Sequence, residues 1–236
     1  MTAILAIETA TDACSVALYR DGHYSQRHEV LPRQHNQRLF SMLGELLPAG
    51  SLRDQGIDAL GYGCGPGSFT GLRIAASAVQ GLAFASNLPA LPVSTLACQV
   101  ATALRQGSID GRRLVLSTLD ARINEVYWAI YLVTEGAPAL QAGPFACAPS
   151  QLQLEAFPDE LDAVGSGCGL RGSFPKELCA RLATVSPEVL PEARDLVPLA
   201  LDALQRGEGQ QAMQVQPVYV RDEISWKKIS EQGKGQ

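Results

Sequence analysis

Nowhere in this chain do two cysteines form a Cys-x-x-Cys pair. The six present (Cys14, Cys64, Cys98, Cys147, Cys168 and Cys179) are widely spaced. That spacing argues against both a zinc site and a disulfide framework, and suits free thiols in a reducing compartment. Histidine is scarce too. His23, His28 and His35 fall on an expected hairpin and the start of a helix, without ligand spacing, and read as scattered surface residues. His35 is the one base within reach of a nucleophile reading for Cys64 or Ser68, and nothing in the sequence brings them together. Cys64 follows strand residues and reads as a buried, inert thiol.

Basic clusters are missing as well. The 19 Lys and Arg residues are dispersed, with only Arg112-Arg113 and Lys227-Lys228 adjacent, and the net charge is −5. Unaided nucleic-acid binding needs a basic face that neutralises several phosphates, so any RNA is expected to be held through a partner. No apolar run reaches membrane length; even 72–85 is broken by Ser77, Gln80 and Gly81. The first residues lack a basic leader and a cleavage site, so a cytoplasmic location and no membrane partner are expected. What remains is an ordinary globular composition, 46% apolar and 18% charged over 236 residues, enough for one large or two small domains.

Strand patterns over 3–8, 14–19 and 23–30, joined by Thr9–Asp12 and Asp21-Gly22, predict an antiparallel meander. Helix 34–47, strand 57–62, helix 70–86, strand 90–93 and a helix from Thr95 capped by Ser94 follow. A meander followed by crossover helices makes a mixed sheet. The polar segment 106–111 is the best boundary, giving domains 1–107 and 108–216 and a tail 217–236. The second half reads as strands 113–119, 125–133 and 139–147, with 120–124 linking the first two. A helix 150–156, a strand 163–165 and helices 176–182 and 193–206 follow.

The run Tyr62–Arg73 is the most informative part. Its glycines at 63, 65, 67 and 71, with Pro66, are expected to form a sharp strand-to-helix turn rather than strand or helix interior. The turn either lets strand and helix pack closely or cradles an anion on free amides, with Gly65, Gly67, Ser68, Thr70, Gly71 and Arg73 nearby. No Gly-Lys-Ser/Thr follows, so this is not a Walker A loop. Arg73 near a helix N-terminus calls for a compensating anion or carboxylate. Gly165–Gly169 admits the same two readings, a plain loop being the simpler. The 70–86 helix carries small or apolar residues on nearly every side, as expected of a helix covered on two sides. One cover is its own sheet. The other is either its own domain or a subunit interface, for which His35, Leu39, Leu43, Leu72, Ala75, Ala78, Val79 and Leu82 are the candidates.

The strings ILAIETATDACSVAL, GPGSFTGLRIAASAVQGLAF and PVYVRDEISWKK resemble the bacterial TsaB (YeaZ) family, pseudo-enzyme paralogues of the TsaD proteins that make threonylcarbamoyladenosine in tRNA. The resemblance implies an α/β fold of the actin/sugar-kinase/Hsp70 (ASKHA) type, with two domains each built on a mixed sheet flanked by helices. It implies a non-catalytic scaffold subunit, without catalytic residues of its own, that works with a TsaD-type paralogue and a TsaE-type ATPase. On its own such a chain forms a homodimer, and it meets tRNA only through the complex. No cofactor is expected to bind tightly, although ATP or ADP can sit at the complex junction near the Gly-rich turn. The active paralogues hold a metal on a His-x-x-x-His pair; Thr95 and Gln99 stand at those two positions, so no metal is expected here. The rival readings are an autonomous actin-like ATPase or kinase, a degenerate metallopeptidase, and a homodimeric stability factor.

Overall fold

The computed structural model describes residues 2–47, 50–157 and 159–220. The tail residues Trp226, Lys227 and Lys228, read above as part of a family signature, lie outside them. The chain builds two five-stranded mixed sheets with one shared topology. In the first, β1 (Ala3–Glu8), β2 (Ala13–Arg20) and β3 (His23–Val30) form the antiparallel meander, and β4 (Ala59–Gly65) and β5 (Ala90–Ser94) add parallel to β1, in the order β3-β2-β1-β4-β5. In the second, β6 (Leu114–Arg122), β7 (Glu125–Thr134) and β8 (Ala137–Cys147) make the meander and β9 (Leu161–Val164) and β10 (Leu182–Ser186) follow, in the order β10-β9-β6-β7-β8. Two mixed sheets flanked by helices were expected, and two are present.

Each sheet is covered on both faces. Alternate residues of β1 divide between them: Leu5 and Ile7 pack under α1 (His35–Leu46) and α2 (Phe69–Ser86), while Ile4 and Ala6 pack under α5 (Ala193–Gln205). The second sheet buries one face against Leu96, Val100 and Ala103 of α3 (Thr95–Gln106). Its other face packs on Leu152, Leu154, Phe174 and Leu178 from the segment around α4 (Lys176–Cys179). Thus α3, from the first half of the chain, roofs the second sheet, and α5, from the second half, roofs the first. The segment after α5 also returns to the first lobe: Gln210 bridges Ala90, and Val218 N–H donates to Cys64 O at 2.7 Å. The stretch 108–216, read as a second domain, therefore gives its last helix and the following strap to the first.

Several local expectations are corrected. The helix expected over 150–156 is only a 3-10 turn, Pro149–Gln151. Beyond it Leu152 and Leu154 are buried and Gln153 is exposed, a period of two that seats both leucines in one core from an extended chain. The helix expected over 176–182 stops at Cys179, and Leu182 opens β10, a strand too short to announce itself. Strand β6 runs on to Arg122, which pairs with Glu125, so the link shrinks to Ile123-Asn124. Strand β4 continues through Gly63 and Gly65, leaving a turn of only three residues before α2.

Candidate functional site

An open cleft of about 1630 Å³ lies between the lobes, at the end of the first sheet where β1 and β4 finish. Its first-lobe wall is the β1–β2 turn (Ala10, Thr11, Asp12) and the Gly-rich turn with the start of α2. Asp120, Ala121, Arg122, Tyr127 and Ser166 form the opposite wall.

The two first-lobe turns are locked together by hydrogen bonds. Ser68 N–H donates to Ala10 O at 2.7 Å, and Thr9 Oγ1 donates to Gly71 O at 2.8 Å. A Cβ on Gly67 would stand 2.5 Å from Ala10 O, and one on Gly71 would stand 2.0 Å from Thr9 O. These glycines are needed for close packing of turn on turn, whatever else the turn does. Of Ser68 and Thr70, either of which could cap α2, Ser68 does so, its Oγ accepting from Gly71 N–H at 3.3 Å. Thr70 is exposed on the cleft wall, and Gly65, with φ of 127°, is pressed against Val218 O. Arg73, expected to need an anion, instead lies 3.7 Å over the Phe69 ring and donates Nε to Tyr219 Oη at 3.0 Å. Across the cleft Arg122 reaches Asp12 at 3.8 Å and Asp120 at 3.4 Å.

Behind the turns lies a carboxyl whose burial the sequence did not show. Glu8, at the end of β1, is 1% exposed, and its Oε1 accepts from Ala10 N–H at 2.7 Å. Burial pushes its pKa up to about 7; hydrogen bonds from the Ala10 and Thr9 amides and the nearby Thr95 hydroxyl act against that rise. A Cβ on Gly63 would stand 1.9 Å from Glu8 Oε2, so the glycine makes room for the carboxyl. That glycine, inside a strand, was the available signal.

Comparison with known proteins places this architecture. Residues 25–228 match the family model described as TsaD, tRNA N6-adenosine threonylcarbamoyltransferase. The tRNA threonylcarbamoyladenosine biosynthesis protein TsaB of Escherichia coli is 37% identical over 230 residues, 96% of this chain and 97% of that protein. Its Haemophilus influenzae counterpart is 34% identical over 238 residues, 96% of each. The chain belongs to the TsaB (YeaZ) family. The solved structure of YeaZ from Pseudomonas aeruginosa superposes with a TM-score of 0.82 at 38% identity, covering 93% of this chain and all of that one. With these relatives, the paired mixed sheets are an ASKHA-type fold.

Thr95 and Gln99 are both fully buried. Gln99 Nε2 donates to Ser117 Oγ at 3.0 Å, Val164 O at 3.1 Å and Thr118 O at 3.2 Å, so its amide is a strut from α3 into the second sheet. Neither side chain is a usual transition-metal ligand, and no group of three or more His, Cys, Asp or Glu is gathered among the described residues. Gly165 (φ 94°) and Gly167 pack against Gln99 and Thr118, which accounts for the second Gly-rich loop as a packing element.

Most of the interface candidates turn inward. Leu39, Leu43, Leu72, Ala75, Ala78 and Val79 are buried in the first lobe's own core, where Ala212 and Val215 of the strap supply the second cover of α2. His35, read as a surface histidine, is 7% exposed and its Nε2 lies 3.1 Å from Ala13 O. Of the eight, Leu82 alone is not buried, and it is only half-exposed. The outer face of α2 is instead Thr70, Arg73, Ser77, Gly81 and Phe84, with Ile74 half-buried beside it. Phe84 is 74% exposed, and Phe40 on neighbouring α1 is 62% exposed. Cys64 is buried, with burial pushing its thiol up to about 12, as the inert reading requires.

Proposed function

We propose that this chain acts in the formation of threonylcarbamoyladenosine in tRNA, as a non-catalytic subunit that supports a TsaD-type enzyme. The reading rests on the pair Thr95 and Gln99: the family resemblance puts these side chains, which have no metal chemistry, where the active paralogues keep histidines, and the Gln99 amide is committed to acceptors in the core. The two relatives named above carry that pathway in their names.

In this reading the protein joins its TsaD-type partner through the outer faces of α1 and α2. Ser77 and Gly81 let a partner helix approach closely, with Phe84 and Phe40 as flanking apolar anchors. Alone, the same face pairs two copies. A TsaE-type ATPase docks on the paired subunits, tRNA is held by the assembly, and ATP or ADP sits at the junction near Gly65–Arg73. A cytoplasmic location follows from the proposed pathway; among the described residues no helix is long and apolar enough to cross a membrane. The test is reconstitution. The pure chain should not modify tRNA, and its addition to the TsaD-type and TsaE-type proteins with threonylcarbamoyl-adenylate should switch modification on. Modification by the chain alone, or full modification without it, overturns the proposal.

A further inference from the structure

Two separate segments of the chain hold the Arg73 side chain, yet its charge has no counter-ion among the described residues. Arg73 lies one turn into α2, where a cation gains nothing from the helix dipole. Phe69, four residues earlier on the same face, lies under the guanidinium, 3.7 Å from its central carbon to the ring centroid. Tyr219, from the strap, accepts from Arg73 Nε at 3.0 Å and sets its ring against Phe69 at 5.6 Å. The strap is anchored one residue earlier, where Val218 N–H donates to Cys64 O at 2.7 Å. Nη1 and Nη2 make no hydrogen bond among the described residues, so the outer edge of the guanidinium is ordered and free. That edge, with parallel N–H groups, suits a carboxylate taken two-pronged.

The surroundings decide what the edge can meet. Arg73 stands on the outer face of α2 with Ser77, Gly81 and Phe84, beside exposed Phe40 of α1. The charges of α1 are matched within the chain. Arg38 pairs with Glu29 at 2.5 Å and with Glu45 at 2.8 Å, and Glu45 also pairs with Arg27 at 2.9 Å. Arg73 is therefore the one charge of α1 and α2 left without an opposite charge among the described residues.

We propose that Arg73, held out by Phe69 and Tyr219, receives a carboxylate of the TsaD-type partner and so selects that partner over a second copy of this chain. The proposal rests on the reading of α1 and α2 as the partner face. A twofold self-pair sets the same face against itself. It brings no spare carboxylate, because Glu45 is already shared between two arginines, and covering Arg73 uncompensated costs affinity. A partner with one carboxylate opposite the free edge gains a charge-assisted pair whose arginine is already ordered. Arginine and tyrosine are also the residues most often found as interface anchors.

The experiment measures binding of the full chain to itself and to the TsaD-type protein, by sedimentation and calorimetry in nucleotide-free buffer. Circular dichroism confirms that each variant folds. Arg73→Met keeps the stem and removes the charge. It should weaken the mixed pair at least about tenfold, while self-association stays equal or tightens. Arg73→Lys keeps the charge without the planar edge and should recover part of the loss. Tyr219→Phe, which releases Nε, should weaken the mixed pair by a smaller factor and leave the self-pair alone. Arg73→Glu should nearly abolish mixed binding, and exchanging one exposed acidic residue of the partner for lysine should restore it. Mixed binding unchanged in Arg73→Met, or self-association falling in step with it, overturns the proposal. So does an equal loss in the double variant Asp222→Asn, Glu223→Gln, which gives the counter-ion to the chain's own tail. A loss that appears only with ATP or ADP present gives it to a phosphate and overturns the proposal as well. If Ser77→Arg leaves both associations intact, the face and the proposal fall together. If Ser77→Arg weakens both and Arg73→Met weakens neither, the face stands and the role of Arg73 fails alone.

Discussion

Arg105 on α3 grips Asp195 on α5 with both forks of its guanidinium, Nε to Oδ1 at 2.7 Å and Nη2 to Oδ2 at 2.9 Å. The two helices so joined are those that roof each other's half of the chain, and the same arginine reaches Glu192 at 2.7 Å. Asp195 is 6% exposed, so its carboxylate depends on this fork. Asp195→Ala is expected to cost about 1–3 kcal/mol of stability, a charge-assisted pair being lost at a nearly dry site. Denaturant melts at constant ionic strength measure it. An unchanged midpoint would show that the α3–α5 clamp contributes nothing.

The face of α2 can be tested at two adjacent residues with opposite expectations. Ser77→Arg places a large charge on the outer face and should leave the fold intact while weakening self-association and TsaD-type binding at least about a hundredfold, an unpaired charge in a contact costing several kcal/mol. Ala78→Arg drives the same side chain into the first lobe's core and should unfold the chain. Circular dichroism and sedimentation distinguish the two. A folded Ser77→Arg protein that still associates fully would move the interface elsewhere.

Metal content follows from the residues at 95 and 99. After dialysis without chelator, elemental analysis should find far less than one iron or zinc per chain, since no ligand set is assembled among the described residues. One tightly held equivalent would reopen the enzyme reading.

Gly63 and Glu8 should behave as one unit. Gly63→Ala pushes a methyl into the carboxyl and is expected to destabilise by about 1–3 kcal/mol, the range for overpacking. In a Glu8→Ala background the same change should cost far less, because the obstructing atoms are gone. A double-mutant cycle by chemical denaturation reads the coupling, and additive effects would refute it.

Tyr62 ties the strap to the first lobe, its Oη 3.0 Å from Gln210 Oε1 and 3.3 Å from Gln216 O. Tyr62→Phe should cost about 1 kcal/mol, the net worth of a buried hydrogen bond, and quicken amide exchange at Val218. Proteolysis and exchange at 216–219 that match the unmutated protein would show that the strap is held by other contacts.

Much of this protein was legible without coordinates. Strand alternation and the Asp21-Gly22 turn set the first meander, Ser94 announced its cap, and the motif around Gly65–Arg73 carried the family. These are local signals, held by neighbours in the chain. What tertiary structure decided depends on residues far apart. The small residues of α2 implied two covers but could not say that the second was the strap at Ala212 and Val215, so residues read as interface became core. Glycines at 63 and 65 argued against a strand until Glu8 on β1 and Val218 on the strap were seen to fill the missing side chains' space. The exchange of α3 and α5 between halves rests on contacts such as Ala193 N–H to Ser15 Oγ, 178 residues apart. Periodicity tells that a face is buried; only the packed chain determines which distant surface buries it, because apolar contact has no sequence address of its own.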